Sequence, residues 1–158
     1  EKEDGTTAEM DLIVLSKKAI FVFEMKNYSG KIYGDTKYAK WIQYFHGKKN
    51  YFLSPILQNK NHIIVLQRFL DKYRNVRIVP IEVVTTNAKW LVKNVQEDDN
   101  FIANGNFAKK FPEIYSSFDT MKIMDDEFNE IREKLAEHSR PNEKIREQHI
   151  EEIKAKYD

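Results

Sequence analysis

The chain has 158 residues and a formal net charge of +1, from 26 lysines and arginines against 25 acidic residues. This length predicts one domain with a substantial hydrophobic core, and the balanced charge gives no argument for a nucleic-acid partner from overall charge alone. Cysteine is absent, which excludes disulfides, thiolate metal sites and cysteine nucleophiles and fits a reducing compartment.

Two further features of the sequence concern its location. No apolar run approaches the roughly 20 residues of a membrane-spanning helix, and no signal peptide is recognisable. We therefore expect a cytoplasmic protein that does not contact membranes. The sequence opens on Glu1 instead of methionine, so we also expect a further segment before it.

The first predicted element is a β-hairpin over residues 9–26 (EMDLIVLSKKAIFVFEMK), with its turn at Lys17 and Lys18. If Ser16 and Ala19 pair across the turn, the residue numbers of any two directly opposed residues add up to 35. Directly opposed residues share a face of a sheet, and side chains alternate along each strand. The apolar residues then occupy both faces, which indicates a hairpin covered on both sides.

The charged residues of the hairpin meet at its open end. The pairing places Asp11 opposite Glu24, and Glu9 opposite Lys26, all on one face. Three carboxylates and one ammonium at the end of an apolar hairpin are costly unless something compensates them. Their summed charge of −2 is what a divalent cation would neutralise, and carboxylate oxygens are the ligands that Mg²⁺ prefers. This end of the hairpin is therefore a candidate catalytic site.

Short elements follow the hairpin. The sequence predicts a turn at 27–30, strands at 31–33 and 40–45, and a basic, flexible loop at 46–50 (HGKKN). We interpret this loop as a solvated hairpin tip in preference to a phosphate contact.

A helix and a strand come next. Ser54 is a favoured N-cap and Pro55 suits the first helical position, so we expect a helix of about 17 residues that ends near Lys72. An apolar strand over 76–85 follows, and Pro80 should place it near a sheet edge or at a bulge. A strand, this helix and the next strand predict a βαβ crossover.

The C-terminal part predicts mostly helices, since apolar residues recur there at helical spacing. The predicted elements are a short strand over 90–95 and helices over 107–118, 125–137 and 141–157. The helix over 141–157 is highly charged and carries no functional signal. We expect a single domain over 1–158 with its core at roughly 5–138.

The charged end of the hairpin indicates a specific chemistry. A metal bound by Asp11 and Glu24 could acidify a water molecule and offset charge on a phosphodiester. Lys26 could hold the attacking water or donate to the same phosphate. The Met25 carbonyl is a plausible further metal ligand, and Glu9 could reach the metal through water or pair with Lys26.

Three segments resemble the nuclease-related domain (NERD) family: residues 7–11 (TAEMD), 22–27 (VFEMKN) and 54–59 (SPILQN). The match continues at four single positions, Gly30, Ile32, Trp41 and His62. That family is similar to the PD-(D/E)xK nucleases, which have a restriction-endonuclease-like fold. The resemblance covers residues 5–100 well and the C-terminal helices loosely.

The resemblance implies roles for four residues. Asp11 matches the acid of the second nuclease motif, Glu24 and Lys26 supply the E-x-K of the third, and Gln58 lies at a helix start near the metal site. It implies an α/β fold with a mixed central sheet and flanking helices, in which an antiparallel hairpin precedes a βαβ crossover. It also implies a metal-dependent nuclease that uses Mg²⁺ or Mn²⁺, with nucleic acid, expected to be DNA, as its substrate.

Other readings of the same residues stay open. The domain could be a non-catalytic nucleic-acid-binding or interaction module that keeps a nuclease fold, or the charges could form a buried structural ion-pair network. Gln58 could instead bond free backbone groups in the first helical turn, and His62 is better explained as a structural histidine. The related nucleases carry another acid on a preceding helix, so we expect either an upstream helix or Glu9 to supply it.

Overall fold

A computed structural model of the chain describes residues 8–103, 105–119 and 122–139. The strands are β1 (Leu12–Leu15), β2 (Ile20–Lys26), β3 (Gly30–Asp35), β4 (Lys40–Phe45), β5 (Lys48–Leu53), β6 (Ile78–Val84), β7 (Ala88–Lys93) and β8 (Phe101–Ile102). The α-helices are α1 (Pro55–Phe69), α2 (Phe107–Ser116) and α3 (Asp125–His138). Two 3₁₀ turns lie at Asp71–Tyr73 and Glu97–Asp99.

The chain divides into two units. One spans residues 8–123 and holds all the described strands together with α1 and α2, and the described part of the other is residues 124–139. Within this second unit, α3 carries acids in its first turn, where they complement the helix dipole. The predicted helix over 141–157 lies outside the described residues, and the single domain stays a prediction.

The predicted mixed α/β architecture is confirmed, but the strands form two four-stranded sheets instead of one central sheet. The first sheet has the order β1-β2-β6-β8, with β1 antiparallel to β2 and with β2, β6 and β8 parallel. The second has the order β5-β4-β3-β7, with β3 parallel to β7 and the other pairs antiparallel. The strand that precedes β6 in the chain and pairs with it in parallel is β2, so the crossover through α1 also contains β3, β4 and β5.

The predicted hairpin register is confirmed. The pairs run from Leu12 opposite Phe23 to Leu15 opposite Ile20, so opposed positions sum to 35. Ser16 closes the turn, because its N–H donates to the Ala19 carbonyl at 3.0 Å and its hydroxyl donates to the same carbonyl at 2.9 Å. A local turn therefore sets the register of both strands.

Helices cover both faces of the first sheet. On one face, Phe21 is fully buried and its ring meets the Phe111 ring of α2 at a centroid distance of 5.4 Å. On the other face α1 packs on β2 and β6, and Asn59 donates to the Val22 carbonyl at 2.9 Å. Because neighbouring side chains on a strand point to opposite faces, Glu24 lies on the α1 side and Phe23 on the α2 side.

The helix α1 begins as predicted. The Ser54 hydroxyl accepts from the Leu57 N–H at 3.4 Å, and Pro55 occupies the first turn. The α-helix ends at Phe69 and a 3₁₀ turn follows over Asp71–Tyr73, close to the predicted end at Lys72.

The predicted loop at 46–50 is wrong in extent. His46 and Gly47 alone form the turn, with φ values of 48° and 73°, and Lys48 already pairs with Phe45 in the β4–β5 hairpin. A two-residue turn with positive φ at both positions matches the twist of the flanking strands. The basic residues after this turn are therefore in a strand.

Pro80 lies near the edge of its sheet as predicted, because β6 is next to the edge strand β8. The strand β8 pairs only with Glu82 and Val83, so it does not reach Pro80. The Pro80 carbonyl accepts from Asn100 Nδ2 at 3.0 Å on that side. The carbonyl and the N–H of one residue point to the same side of a strand. The N–H that Pro80 lacks would therefore point to the side that β8 does not cover, and no hydrogen bond between strands is lost.

The close approach of Gly34 to Trp41 predicts a strong steric effect. A Cβ at position 34 would lie 2.5 Å from Trp41 Cδ2, and the Trp41 ring is 1% exposed. We expect Gly34→Ala to lower the free energy of unfolding by about 1–3 kcal/mol, measured by urea denaturation. The same change in a Trp41→Leu background should cost much less; an equal cost in both backgrounds would contradict the steric explanation.

Candidate active site

The carboxyl end of β2 carries an ion pair between a buried carboxylate and a half-buried ammonium group. The Glu24 side chain is 1% exposed, and one of its oxygens contacts the Lys26 ammonium. Residues two apart on a strand share a face, so the alternation that buries Glu24 also places Lys26 beside it. The structure thus brings together the two residues of the predicted E-x-K triplet.

Asp11 joins this end of the hairpin from the opposite strand. It lies just before β1, and its Oδ2 accepts from the Met25 N–H at 2.7 Å. The Asp11 side chain is exposed, as is Glu9 two residues earlier, while the Met25 side chain is 54% exposed. The predicted hairpin pairing therefore holds Asp11 at the solvent-facing edge of the buried Glu24.

The helix α1 supplies a third side of the site. His62 Nδ1 lies 3.4 Å from Glu24 Oε2, and both side chains are buried. Gln58 is half-buried one turn earlier on the same helix. Within the described residues, its side chain makes no hydrogen bond to Asp11, Glu24 or Lys26, so its role at the site stays a prediction.

The charges around Glu24 act on it in opposite directions. Burial raises the pKa of the Glu24 carboxyl, the hydrogen bond and charge of Lys26 lower it, and the charge of Asp11 raises it again. The net pKa is above the ordinary value, because burial outweighs the single ammonium. A further positive charge at this position would stabilise the ionised form of Glu24.

The sequence matches a known family over this whole region. Residues 1–86, more than half of the chain, match the family described as Nuclease-related domain (NERD). The chain belongs to the NERD family. The resemblance identified in the sequence is confirmed, and a nuclease-related function follows from the family.

One curated relative also matches this NERD chain. It is an uncharacterized protein of Bacillus anthracis, pXO1-01, which is 27% identical over 157 residues that cover 98% of this chain and 71% of the relative. No solved structure matches the chain significantly. Within the described residues, no helix is both long and apolar enough to cross a membrane.

Sequence reasoning missed one acid in the NERD region. Glu82 of β6 pairs in parallel register with Glu24 and is 0% exposed. Burial raises the pKa of Glu82 to about 8. A hydrogen bond from the Asn59 amide and the positive charge of Lys60 lower this pKa, and the negative charge of Asp99 raises it. The signal was a single acid in the apolar strand over 76–85, but only the pairing of β6 with β2 gives it a neighbour at the site.

Asn59 was missed as well. Its side chain is fully buried, and Nδ2 donates to the carbonyls of Val22 at 2.9 Å and Ile81 at 3.3 Å. These carbonyls belong to β2 and β6, so Asn59 ties α1 to the two strands that carry Glu24 and Glu82. Lys60, next along α1, forms an ion pair of 2.7 Å with the buried carboxylate of Asp99.

The residues of the NERD site fit a hard divalent cation in part. Within the described residues, no three or more His, Asp or Glu side chains are grouped closely enough to hold a metal ion. Asp11 and Glu24 nevertheless offer carboxylate oxygens at one end of the hairpin, where Lys26 leaves a net negative charge. Mg²⁺ and Mn²⁺ also accept backbone carbonyls and water as ligands, so the Met25 carbonyl and Glu9 through water are the candidates to complete the shell.

Proposed function

We propose that this NERD protein is a metal-dependent nuclease that hydrolyses phosphodiester bonds of nucleic acid, with DNA as the expected substrate. One observation carries the proposal: the Asp11 carboxylate accepts from the Met25 N–H, between the paired Glu24 and Lys26, at one end of an otherwise apolar strand pair. A buried carboxylate whose pKa is already raised needs a compensating charge. A divalent cation would provide it.

Each residue has a role in this proposal. When bound, Mg²⁺ or Mn²⁺ lowers the pKa of a water ligand and offsets charge on the phosphate. Asp11 and Glu24 would hold the ion, with the Met25 carbonyl and Glu9 completing its shell. Lys26, fixed by its ion pair with Glu24, would orient the attacking water or donate to a phosphate oxygen.

Two neighbours would keep this arrangement in place. His62 lies against the second oxygen of Glu24 and limits the rotation of its carboxylate. Asn59 ties α1 to β2 at Val22, two residues before Glu24. Both contacts come from buried side chains, so the site is preorganised on regular elements instead of on loops.

A second candidate function is a nucleic-acid-binding or interaction module without catalysis. The absence of a three-ligand group among the described residues favours it. The retained Glu24 and Lys26 pair argues against it, because a buried charge with no task is costly. The two functions differ in whether the protein binds a divalent cation.

A metal titration combined with a cleavage assay tests the proposal. We expect Mn²⁺ binding by calorimetry, loss of that binding in Asp11→Asn, and cleavage of nucleic acid that requires Mg²⁺ or Mn²⁺ and stops in EDTA. Single-stranded DNA, duplex DNA and RNA should be compared under the same conditions. A wild-type protein that binds no Mn²⁺ and cleaves none of these substrates would support the non-catalytic module instead.

A further inference from the structure

The two faces of the second sheet differ sharply in what they bury. One face packs into a core in which Ile32 is 0% exposed and Trp41 is 1% exposed, with Ile56 of α1 against them. The residues between these positions point to the opposite face. That opposite face is open, since Tyr33, Tyr44 and Tyr51 are 42%, 44% and 60% exposed.

Strand register arranges this open face in rows. Tyr51, Ile42, Tyr33 and Leu91 lie side by side across β5, β4, β3 and β7. The next row across the same strands holds Lys49, Tyr44, Lys31 and Lys89. We call the surface that carries Tyr33, Tyr44, Tyr51, Lys31, Lys49 and Lys89 the tyrosine–lysine face.

The rings and ammonium groups on this face contact one another. The Tyr33 and Tyr44 rings meet edge to face, with centroids 5.5 Å apart and planes at 87°. The Lys49 ammonium lies 4.9 Å from the Tyr51 ring centroid and 5.9 Å from that of Tyr44. Lys31, Tyr33, Ile42 and Tyr44 line a shallow depression between the rows. The tyrosines are thus held in place while parts of their rings remain open to solvent.

The charge of the tyrosine–lysine face has one dominant sign. Lys40 and Lys93 are exposed on the same side of β4 and β7 as the three lysines of the face. Among the described residues of these four strands, Asp35 is the single acid on that side, and Asn94 accounts for two of its hydrogen bonds. An exposed sheet that combines aromatic rings with lysines is complementary to a polyanion that also offers flat rings.

We propose that the tyrosine–lysine face binds single-stranded nucleic acid, with bases stacked on the tyrosines and phosphates contacted by the lysines. Bases of any sequence can stack on such a platform, because each has a π-face. Duplex bases are already stacked on one another and cannot reach the rings, so a single strand is the favoured ligand. The face shares no residue with the candidate active site, and the inference extends the proposed function by naming the surface that holds the strand.

A second copy of this chain fits the same face less well. Two such faces brought together would oppose lysines with lysines, and like charges directly opposed are destabilising. A single strand instead carries roughly one phosphate for each base, which matches the mixture of ammonium groups and rings on the face.

Anisotropy of a fluorescein-labelled 12-nucleotide oligo(dT) measures this binding, in EDTA so that metal-dependent cleavage does not interfere. We expect Tyr44→Ala/Tyr51→Ala to raise the Kd at least about tenfold, and Tyr44→Phe/Tyr51→Phe to keep the wild-type Kd. Lys49→Gln should lower the slope of log K against log salt by about 0.7. Lys48→Gln is the matched control, because Lys48 is exposed on the opposite side of β5. The salt dependence of binding by this variant should equal that of the wild type.

The outcomes separate this inference from the nuclease proposal. Wild-type Kd in the double alanine variant, or no binding of oligo(dT) by the wild type, would overturn the face as a binding site. Binding that depends on the tyrosines without any cleavage in Mn²⁺ would contradict only the nuclease. Light scattering would show whether the wild type is a dimer and the double alanine variant a monomer. If so, and if the variant bound oligo(dT) like the wild type, the face would bind a second copy of the chain and the inference would be wrong. Circular dichroism melting checks that each variant folds.

Discussion

Replacing Glu24 by glutamine is expected to lower metal-dependent cleavage at least about 100-fold while the protein stays folded. Glutamine keeps the volume and can still accept from Lys26, but it removes the negative charge that a cation requires. Because burial raises the pKa of Glu24, its ionised form costs folding free energy. The variant should therefore unfold at an equal or higher urea concentration than the wild type at pH 8 in EDTA.

This combination of effects distinguishes a catalytic role from a structural one. If Glu24 served only as the partner of a buried ion pair, the variant would lose stability and keep any residual activity in proportion to the folded fraction. Glu113→Gln is a matched control, since Glu113 is exposed on α2, and should change neither cleavage nor stability. Asp11→Ala and Lys26→Ala should each abolish cleavage as well, and undiminished cleavage in all three site variants would refute the assignment.

The second large effect concerns Glu82 and pH. Its pKa is about 8 in the folded protein and about 4.3 in an unfolded chain, so the folded state keeps a proton that the unfolded state releases. The contribution of Glu82 to the free energy of unfolding is fully present below about pH 4 and is lost as the pH rises toward 8. We expect the free energy of unfolding to fall by about 3–4 kcal/mol between pH 5 and pH 8 from this group, measured by urea denaturation in EDTA.

Glutamine at position 82 should remove most of this dependence. Glu82→Gln is expected to match the wild type at pH 5 and to exceed its stability by a few kcal/mol at pH 8. A smaller slope of the same sign should remain, because burial raises the pKa of Glu24 too. Parallel profiles for wild type and Glu82→Gln would show that Glu82 is ionised in the folded protein, and Glu113→Gln again serves as the control.

Local patterns in the sequence predicted the hairpin, its register and the start of α1. The pairing of Ser16 with Ala19 is set by a turn of two lysines and by alternation of side chains, so it predicted that Asp11 lies at the end of the hairpin that carries Glu24. Ser54 and Pro55 predicted the helix start for the same reason, because capping depends on residues next to one another. The predicted loop over 46–50 was wrong because a two-residue turn leaves almost no residues outside the strands.

The division of the strands into two sheets did not follow from local patterns. Periodicity predicts that a segment is extended but carries no information about which distant strand pairs with it. The parallel pairing of β2 with β6 joins residues nearly sixty positions apart, and it alone places Glu82 beside Glu24. The pairing of β3 with β4 and β7, and of β4 with β5, likewise decided that three tyrosines and three lysines share one open face.

Local sequence patterns were therefore enough to predict which residues carry the candidate chemistry. Asp11, Glu24 and Lys26 could be identified because a short hairpin has one register that follows from its turn. The neighbours of these residues depend on long-range packing, since His62 and Asn59 contact β2 from α1 and Glu82 lies on a parallel strand. Such neighbours depend on packing between distant segments, whose free energy is realised only in the assembled fold.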